Sequence, residues 1–390
     1  CIRDRRMTRW IFIALLALGV HAKAGADTVI NTESLRLTFS QSGSLKMAFA
    51  CFPACAGENA RIQQFGERGV IGIGPAKNGQ WNTRKSRGET HHEIEFSHES
   101  GARLAWRIPH SGYRLELDHS GLERLTIRSG EPFRPREAAG FGNWLEQSRY
   151  VAISSGDTEQ LGLEDTDTTQ VSVDQWLGYR NRYWTLMAAP TASLAAELRV
   201  GEGNEDAEIT AGLSAGTWSF YLGPIEPRIL ESADPALGGL MYAGLWFWLR
   251  WICFALFYLL AGIQSVIPSW GLAVMALSLA VNVLMLPLSR IADRFQQQVN
   301  ETEARLAPEL QRIKKNHKGE EQAAKILALY KTERVHPLYS LKSMMGVAVV
   351  IPVFIGAFDM LAENIHLLHT GFLWISDLSR PDDLFRLPFT

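Results

Sequence analysis

Three polar side chains, Ser278, Asn282 and Ser289, interrupt an otherwise apolar stretch. Ser278 and Asn282 are four residues apart and Ser289 lies seven residues beyond Asn282, so an α-helix places them along one side. Their hydroxyl and amide groups exchange hydrogen bonds but carry no charge. Within a membrane helix, such groups either line a hydrated groove or hydrogen-bond to a neighbouring helix. The residues alone leave both roles open.

A second pattern is apolar. Val347, Ile351, Phe354 and Phe358 recur at intervals of four, three and four residues, which predicts an apolar stripe on one helix. Such a stripe offers an apolar segment a surface along which to slide, and packing against other helices explains it equally well. Pro352 lies in the same stretch, where neighbouring helices must satisfy the carbonyl group that it leaves free.

Cysteine and possible metal ligands occur elsewhere. Cys51 and Cys55 suit a disulfide in an oxidising compartment, with reduced thiols or bridges to other chains as alternatives. The cluster His91-His92-Glu93, Glu95 and His98 has ligand residue types, but adjacent strand residues point to opposite faces. The acidic run Glu164-Asp165-Thr166-Asp167 lacks the glycine and terminal glutamate of a calcium loop. We therefore expect no metal site and no cofactor.

The elements that carry these residues follow from the distribution of charge. The 390 residues are 46% hydrophobic and 21% charged, too polar for a wholly membrane-embedded chain and too apolar for a disordered one. Residues 244–288 contain one charged residue, Arg250, whereas residues 289–342 contain 11 Lys/Arg and 7 Asp/Glu. Residues 25–243 and 363–390 carry an excess of acidic groups. Such alternation is typical of a membrane protein whose loops face different compartments.

The N-terminus resembles a secretory signal over residues 1–24. Met7-Thr8-Arg9 is a short basic region, Trp10 to Val20 is an apolar run too short to span a bilayer, and Ala22-Lys23-Ala24 fits a cleavage site. We expect cleavage after Ala24, and an uncleaved anchor is the alternative.

Residues 25–243 then lie outside the cytoplasm. Apolar residues alternate at positions 35, 37 and 39, at 113, 115 and 117, and at 218, 220 and 222. This period of two predicts antiparallel strands with one buried face, in a domain large enough to form a β-sandwich.

The membrane topology follows from the positive-inside rule. If the three apolar stretches 245–267, 270–288 and 343–362 all crossed the bilayer, the basic segment 289–342 would face outside, against the rule. The rule is obeyed if the first stretch, rich in Trp and Phe, lies in the outer interface, although spanning by that stretch is the alternative. The predicted membrane protein is therefore of the α+β class, with a periplasmic antiparallel β-sandwich (25–243), an interfacial amphipathic helix (244–269), two transmembrane helices (270–288 and 343–362), a cytoplasmic helical hairpin (289–342) and a periplasmic loop (363–390).

The hairpin combines two narrow apolar stripes. The stripe on one arm consists of Leu306, Leu310 and Ile313, and that on the other arm of Ala323, Leu327 and Tyr330. The turn sequence Asn316-His317-Lys318-Gly319 joins the two arms. The hairpin is either purely structural or a docking arm for a ribosome, a partner protein or a nascent chain.

Several short strings occur in a characteristic order. They are Trp176-Leu177-Gly178-Tyr179 with Tyr183-Trp184, Leu222-Gly223-Pro224, Trp270-Gly271-Leu272, Leu286-Pro287-Leu288-Ser289, Ala328-Leu329-Tyr330-Lys331 with His336-Pro337-Leu338, Ile351-Pro352-Val353-Phe354, and Phe372-Leu373-Trp374-Ile375-Ser376-Asp377-Leu378. In these strings and in the order of its parts, the chain resembles the YidC/Oxa/Alb family of membrane-protein insertases, in its Gram-negative form with a periplasmic β domain. The resemblance is specific over residues 270–378 and loose over 25–220.

The resemblance implies a non-enzymatic insertase or chaperone in the bacterial inner membrane. Nascent membrane proteins and the lipid bilayer would be its partners, with the Sec translocon and the ribosome as candidates, and no direct readout of nucleic acid is expected. The resemblance also favours a groove lined by Ser278, Asn282 and Ser289. The alternative function is a membrane-anchored periplasmic module that binds a glycan or protein, and a catalytic outer domain has little support because no carboxylate pair stands out.

Three departures from the family pattern stand out. The family usually has an arginine at the position of Asn282, and Arg290, ~12 Å further along a helix, is too distant to replace it. The stretch Pro337 to Pro352 is longer than in the family and lacks its usual small Gly-Cys pair. The chain stops at Thr390, where the family continues with two spans, so we expect a C-terminal truncation, as a fragment or a reduced form.

Overall fold

The computed structural model describes residues 27–66, 69–74, 79–130, 133, 149–154, 157–162, 168–173, 175–190, 194–200, 207–212, 216–333, 335 and 345–380. They fall into two compact units. The first comprises Cys1–Arg134, Gly162–Tyr179 and Leu186–Gly223, and the second Pro135–Leu161, Arg180–Thr185 and Pro224–Thr390. The predicted signal sequence, the acidic run 164–167, the string 336–338 and the end of the predicted periplasmic loop, 381–390, lie outside the described residues.

The strands are short and all paired antiparallel where their register is given. They are β1 Thr28–Asn31, β2 Leu35–Phe39, β3 Leu45–Phe52, β4 Arg61–Gln64, β5 Ile71–Gly74, β6 Trp81–Arg87, β7 His91–His98, β8 Arg103–Pro109, β9 Arg114–Ser120, β10 Arg124–Ser129, β11 Arg149–Ser154, β12 Asp157–Gly162, β13 Thr168–Val173, β14 Trp176–Arg180, β15 Trp184–Ala189, β16 Leu194–Val200, β17 Ala207–Gly212 and β18 Gly216–Pro224.

Two sheets make up the first unit. The first has the order β1-β2-β3-β5-β10-β17-β16-β13, with β4 paired to β3, and the second runs β14-β15-β18-β9-β8-β7-β6 within this unit. The register places Ile127 of β10 opposite Ile209 of β17 in the first sheet, and Trp106 opposite Leu117 in the second. The predicted antiparallel β-sandwich is confirmed.

The core of this unit lies between the inner faces of the sheets. Phe39 of the first sheet packs against Trp106 and Phe96 of the second, with ring centroids 5.4 and 6.2 Å apart. The Trp106 indole N–H donates to the Gly43 carbonyl at 2.9 Å, which satisfies its polar group within the core. Gly43 has φ +81°, and a Cβ there would lie 2.7 Å from Leu104 Cδ1, so this turn requires glycine.

The alternation of apolar residues explains this packing. The residues at positions 35, 37 and 39, at 113, 115 and 117, and at 218, 220 and 222 are all buried, as a period of two with one buried face requires. The sulfur atoms of Cys51 and Cys55 form a disulfide in the same unit.

The second unit is mainly helical. Its elements are β11, most of β12, α1 Pro227–Ala233, a 3₁₀-helix Pro235–Leu240, α2 Phe247–Val266, α3 Trp270–Asn316, α4 Gly319–Thr332, α5 Met345–Ala362 and a second 3₁₀-helix Ile365–Leu367. Among the described helices, α2 and α3 are long and apolar enough to cross a membrane, and Val350–Ala362 of α5 is a shorter apolar helix.

The predicted first transmembrane helix and the first arm of the hairpin are one continuous helix. α3 contains 47 residues and passes through Pro287 and Pro308 without ending. A proline removes one backbone hydrogen bond, but the surrounding Leu, Gln, Glu, Ala and Arg residues are strong helix formers that carry the helix on. The expected boundary between residues 288 and 289 is therefore not a structural one.

The hairpin turn lies where the sequence predicts it, but two of the three residues of the second stripe are wrong. α3 ends at His317, and α4 begins after Lys318 with Gly319 at φ +65°. Ala323 and Leu327 are exposed, whereas Gln322, Ile326, Leu329 and Tyr330 are partly buried. A rotation of one residue, ~100° around the helix, separates the predicted face from the observed one.

Candidate functional site

The polar residues of α3 occupy an exposed side of the helix. Ser278, Asn282 and Ser289 are all exposed, whereas Ala273 and Leu277, on another side of α3, are buried. The Asn282 side-chain amide donates to the Ser278 carbonyl of its own helix at 2.8 Å. The structure therefore brings Ser278 and Asn282 together on a surface that no described helix covers.

The apolar stripe of α5 is also exposed in its described part. Ile351 and Phe354 are 50% and 69% exposed, and Phe358 is partly buried. Val347 belongs to α5, but its side chain lies outside the described residues. Among the described residues, the second unit thus exposes a polar side of α3 and, at Ile351 and Phe354, an apolar side of α5.

Both ends of α2 lie near the C-terminal end of α5. Just before α2, the Tyr242 backbone N–H donates to Glu363 Oε2 at 3.1 Å. Just after α2, the Trp270 ring stacks on His366, with centroids 4.8 Å apart. Between these points Ile252 of α2 lies against α5 at Gly356, where an added Cβ would lie 2.8 Å from Ile252 Cγ2. The residues that flank α2 therefore both lie near one end of α5.

Arg250, the one charged residue of the apolar region, points to this same end. Its guanidinium donates to the carbonyls of Gly238 and Gly239 at 3.2 and 3.4 Å, in the 3₁₀-helix that precedes α2. Because these carbonyls satisfy the guanidinium at the start of α2, the charge is kept away from the remaining apolar turns of the helix.

A buried ion pair holds the end of α5. Arg180 donates to Glu363 Oε1 at 3.0 Å and to the Leu240 carbonyl at 2.5 Å. The Arg180 side chain is only 6% exposed and that of Glu363 21%. Tyr242 donates its backbone N–H to the second carboxylate oxygen, so both oxygens of Glu363 are satisfied.

A second arginine of the same turn holds the loop after α5. Arg182 donates to the Ala362 carbonyl at 2.7 Å and to the Ser379 carbonyl at 3.0 Å. A cation at the C-terminus of a helix satisfies carbonyls that lack helical partners and interacts favourably with the helix dipole. The segment Arg180–Thr185 therefore ties together both ends of the loop 363–379.

Sequence reasoning missed Arg180, Arg182 and Glu363. The two arginines lie between Tyr179 and Tyr183, inside one of the strings that carry the family resemblance, and that position was the only available signal. Alternating strand patterns give no indication of a partner 180 residues away in the chain, as for Arg182 and Ala362.

Burial shifts the titration of two groups near the start of the helical region. Burial raises the pKa of Glu226, whose carboxylate caps α1 by accepting the Ile229 N–H at 2.8 Å. The pKa of Tyr242 is raised well above its usual range. Burial is the larger cause, and the negative charge of the nearby Glu363 adds to it. Across the parts of the chain that the structure describes, no group of three or more His, Cys, Asp or Glu side chains could hold a metal ion.

Comparison with known proteins shows what parts of the chain are similar to. The family model described as 60Kd inner membrane protein matches residues 262–390. The membrane protein insertase YidC of Methylobacillus flagellatus is 29% identical over 263 residues, which cover 64% of this chain and 45% of that protein. The matched parts of the chain are thus similar to an inner membrane protein family and to insertases of the YidC type. The YidC of Cellvibrio japonicus is 35% identical over 173 residues, 44% of this chain and 30% of that protein.

The extent of the match to YidC is limited. The chain spans about half the length, or less, of these curated relatives: the aligned part covers 45% of the first and 30% of the second. A crystal structure of YidC from Thermotoga maritima is 12% identical, covering 69% of this chain and 71% of that one, with a TM-score of 0.37. At that score the structural likeness carries no argument about individual residues.

Proposed function

We propose that this protein assists the insertion of membrane proteins into the bacterial inner membrane. The relationship of residues 262–390 to an inner membrane protein family carries this proposal. It is supported by α3, a helix of an apolar region that exposes Ser278 and Asn282. Membrane insertion needs no covalent step, and the role requires neither a cofactor nor an enzymatic centre.

In the proposed topology, α3 and α5 cross the bilayer and α2 lies in the outer interface. The support for this placement of α2 is that its flanking residues Tyr242 and Trp270 contact Glu363 and His366, beyond the same end of α5. A helix of 20 residues is ~30 Å long and could span a bilayer, but a spanning helix has its ends on opposite sides. We therefore favour two spans over three.

The charge distribution supports the same topology. With two spans, the segment 289–342, with its 11 basic and 7 acidic residues, faces the cytoplasm, and the acidic loop 363–390 faces the periplasm. This arrangement obeys the positive-inside rule. The helical hairpin is then a cytoplasmic arm, and the β-sandwich is periplasmic.

The proposed mechanism lowers the cost of moving polar groups into lipid. A charged side chain at the bilayer centre costs ~2.5–3.5 kcal/mol on insertion scales. Ser278 and Asn282 would keep a polar tail hydrogen-bonded while the apolar part of the substrate moves along Ile351 and Phe354 into lipid. Nascent membrane proteins are the proposed substrates, with the ribosome or the Sec translocon as proposed partners.

Because Asn282 is neutral, we expect little preference for acidic tails. Changing Asn282→Arg should raise the insertion of substrates with acidic translocated tails relative to substrates with neutral tails, because an arginine attracts a carboxylate. Insertion is measured by protease protection in proteoliposomes. The matched control is Val283→Arg, which places the same charge at nearly the same depth on another side of α3 and should not create this preference.

Two outcomes of this experiment decide between the interpretations. If Asn282→Arg and Val283→Arg give the same ratio of acidic to neutral insertion, the exposed polar side of α3 is not the path of the tail. If Asn282→Ala abolishes packing of α3, as judged by thermal unfolding, the residue serves helix packing instead. A binding module anchored in the membrane predicts that none of these variants changes insertion.

A further inference from the structure

The loop after α5 presents two large apolar side chains on a rigid turn. Phe372 and Ile375 pair with each other through two backbone hydrogen bonds of 2.8 and 2.9 Å, which places Leu373 and Trp374 at the tip. Leu373 and Trp374 are 75% and 68% exposed. Leu373 has φ +52°, a conformation that leucine rarely adopts, so its neighbours must hold it there.

Contacts on both sides of the tip hold it in place. Asp377 Oδ1 accepts the backbone N–H groups of His369 and Ser379 at 3.1 and 2.9 Å. The Ser379 carbonyl in turn accepts from Arg182 at 3.0 Å. The exposed pair is therefore carried by a closed and hydrogen-bonded loop, so its exposure is a fixed feature of this segment.

The tip lies level with the start of the apolar run of α3. The Phe372 ring covers Gly271, the second residue of α3, so closely that no side chain fits at that position. From Trp270 to Leu288 the helix carries no charge. Leu373 and Trp374 are thus placed beside the boundary at which the apolar stretch begins.

A second set of exposed aromatic residues lies towards the same end of α5. Trp246, Phe247 and Trp251, around the start of α2, are 72%, 77% and 74% exposed. Trp at the level of the lipid headgroups is the usual anchor of membrane helices, because its ring is apolar and its N–H remains hydrated. Two segments distant in sequence therefore present the side chains that suit one lipid interface.

We propose that Leu373 and Trp374 insert into the outer leaflet of the bilayer as an anchor for the loop between α5 and the end of the chain. The occupant of this surface is the lipid itself, at the boundary of headgroups and acyl chains. Together with the contacts of Arg180 and Arg182, the anchor fixes the outer end of α5. The inference rests on the membrane placement proposed above.

The test uses the full-length protein in proteoliposomes, with one environment-sensitive fluorophore per molecule. The probe is attached to Trp374→Cys, to Ser376→Cys as the matched control in the same loop, and to Leu279→Cys, which is 68% exposed in the apolar part of α3. Of the four native cysteines, Cys253 is buried and Cys51 and Cys55 form a disulfide. Labelling of the unsubstituted protein, which also contains Cys1, is subtracted. Quenchers are nitroxide lipids labelled near the headgroup or deep in the chain, and iodide in water.

The anchor predicts a distinct pattern at each position. The probe at residue 374 should emit at shorter wavelength than that at 376 and lose most of its emission to the shallow nitroxide lipid. The probe at 376 should respond mainly to iodide, and that at 279 to the deep nitroxide lipid.

Each other outcome rejects the anchor. If residue 374 responds to iodide as strongly as residue 376, the tip faces water. If it is protected from both iodide and lipid quenchers, the tip is covered by protein instead. If the probe at 279 is not quenched by lipid, the proposed topology itself fails, which separates that failure from failure of the anchor alone.

Discussion

The buried pair Arg180–Glu363 offers the sharpest test of how the helical unit is held together. We expect Arg180→Met to increase the rate of hydrogen exchange at the Tyr242 amide, which donates directly to Glu363. The substitution keeps most of the volume of the Arg180 stem but removes its charge. Glu363 would then be left largely buried without its cationic partner, because its side chain is only 21% exposed.

The size of the effect follows from burial. Removing one partner of a buried ion pair costs ~3–5 kcal/mol, and the partial exposure of Glu363 favours the lower end of that range. A cost of ~3 kcal/mol corresponds to an increase in exchange of about 100-fold, because each factor of ten is ~1.4 kcal/mol. Loss of the bond to the Leu240 carbonyl adds to this cost.

A double-mutant cycle isolates the ion pair from these other bonds. The bond to Leu240 is lost in both Arg180→Met and Arg180→Met/Glu363→Met, so it cancels in the coupling energy. We expect the double variant to be clearly more stable than the sum of the single changes predicts, because it leaves no unpaired buried charge. Hydrogen exchange followed by mass spectrometry gives all three values.

The exposed pair Arg128–Glu208 is the matched control. Its atoms are also 3.0 Å apart, but its side chains are 51% and 35% exposed, so Arg128→Met should cost less than ~1 kcal/mol. If the two arginine substitutions have equally small effects, or if the cycle at Arg180 and Glu363 is additive, the reasoning from burial is refuted.

Three further predictions concern the rest of the chain. Replacing both Cys51 and Cys55 by alanine should lower the free energy of unfolding by about 2 kcal/mol, because the short loop that they close costs that much chain entropy; an unchanged denaturation midpoint would contradict this. Burial raises the pKa of Glu226 above 4.5, so its contribution to stability is present below that pH and is lost as the pH rises through the raised value. Glu226→Gln should therefore become increasingly stable relative to the parent between about pH 4 and pH 7, and a constant difference in unfolding midpoint would contradict this. Gly356→Ala should lower the thermal midpoint through its clash with Ile252, whereas Gly262→Ala, with open space around it, should raise it; midpoints that shift in the same direction would show that α2 does not press on α5.

Much of the fold could be predicted because its causes are local in sequence. The buried alternation of Leu35, Leu37 and Phe39 defines a strand directly, since one face of a sheet must avoid water. The turn before α4 was predictable for the same reason, because Gly319 adopts positive φ without cost. By contrast, the partly buried side of α4 was predicted wrongly at Ala323 and Leu327, since sparse apolar residues define a helical face poorly when charged residues surround them.

The continuity of α3 and the placement of α2 depended on competing effects. The two prolines within α3 each remove a backbone hydrogen bond, but helix propensity over 47 residues outweighs them. For α2, length and composition allow a membrane span. Its contact at Gly356 and the flanking contacts at Glu363 and His366 are the observations on which we propose an interfacial placement, as the charge rule predicts from the sequence.

The sequence by itself determined the β-sandwich, the order of the helices, the family resemblance and the chemical character of the exposed sides of α3 and α5. Those features depend on periodicity and composition, which are properties of neighbouring residues. Only the tertiary structure decided that Arg180 and Arg182 hold Glu363 and the loop after α5, and that Phe372 covers Gly271. Such contacts join residues up to 197 positions apart, as for Arg182 and Ser379, and chain folding brings them together without leaving a local pattern.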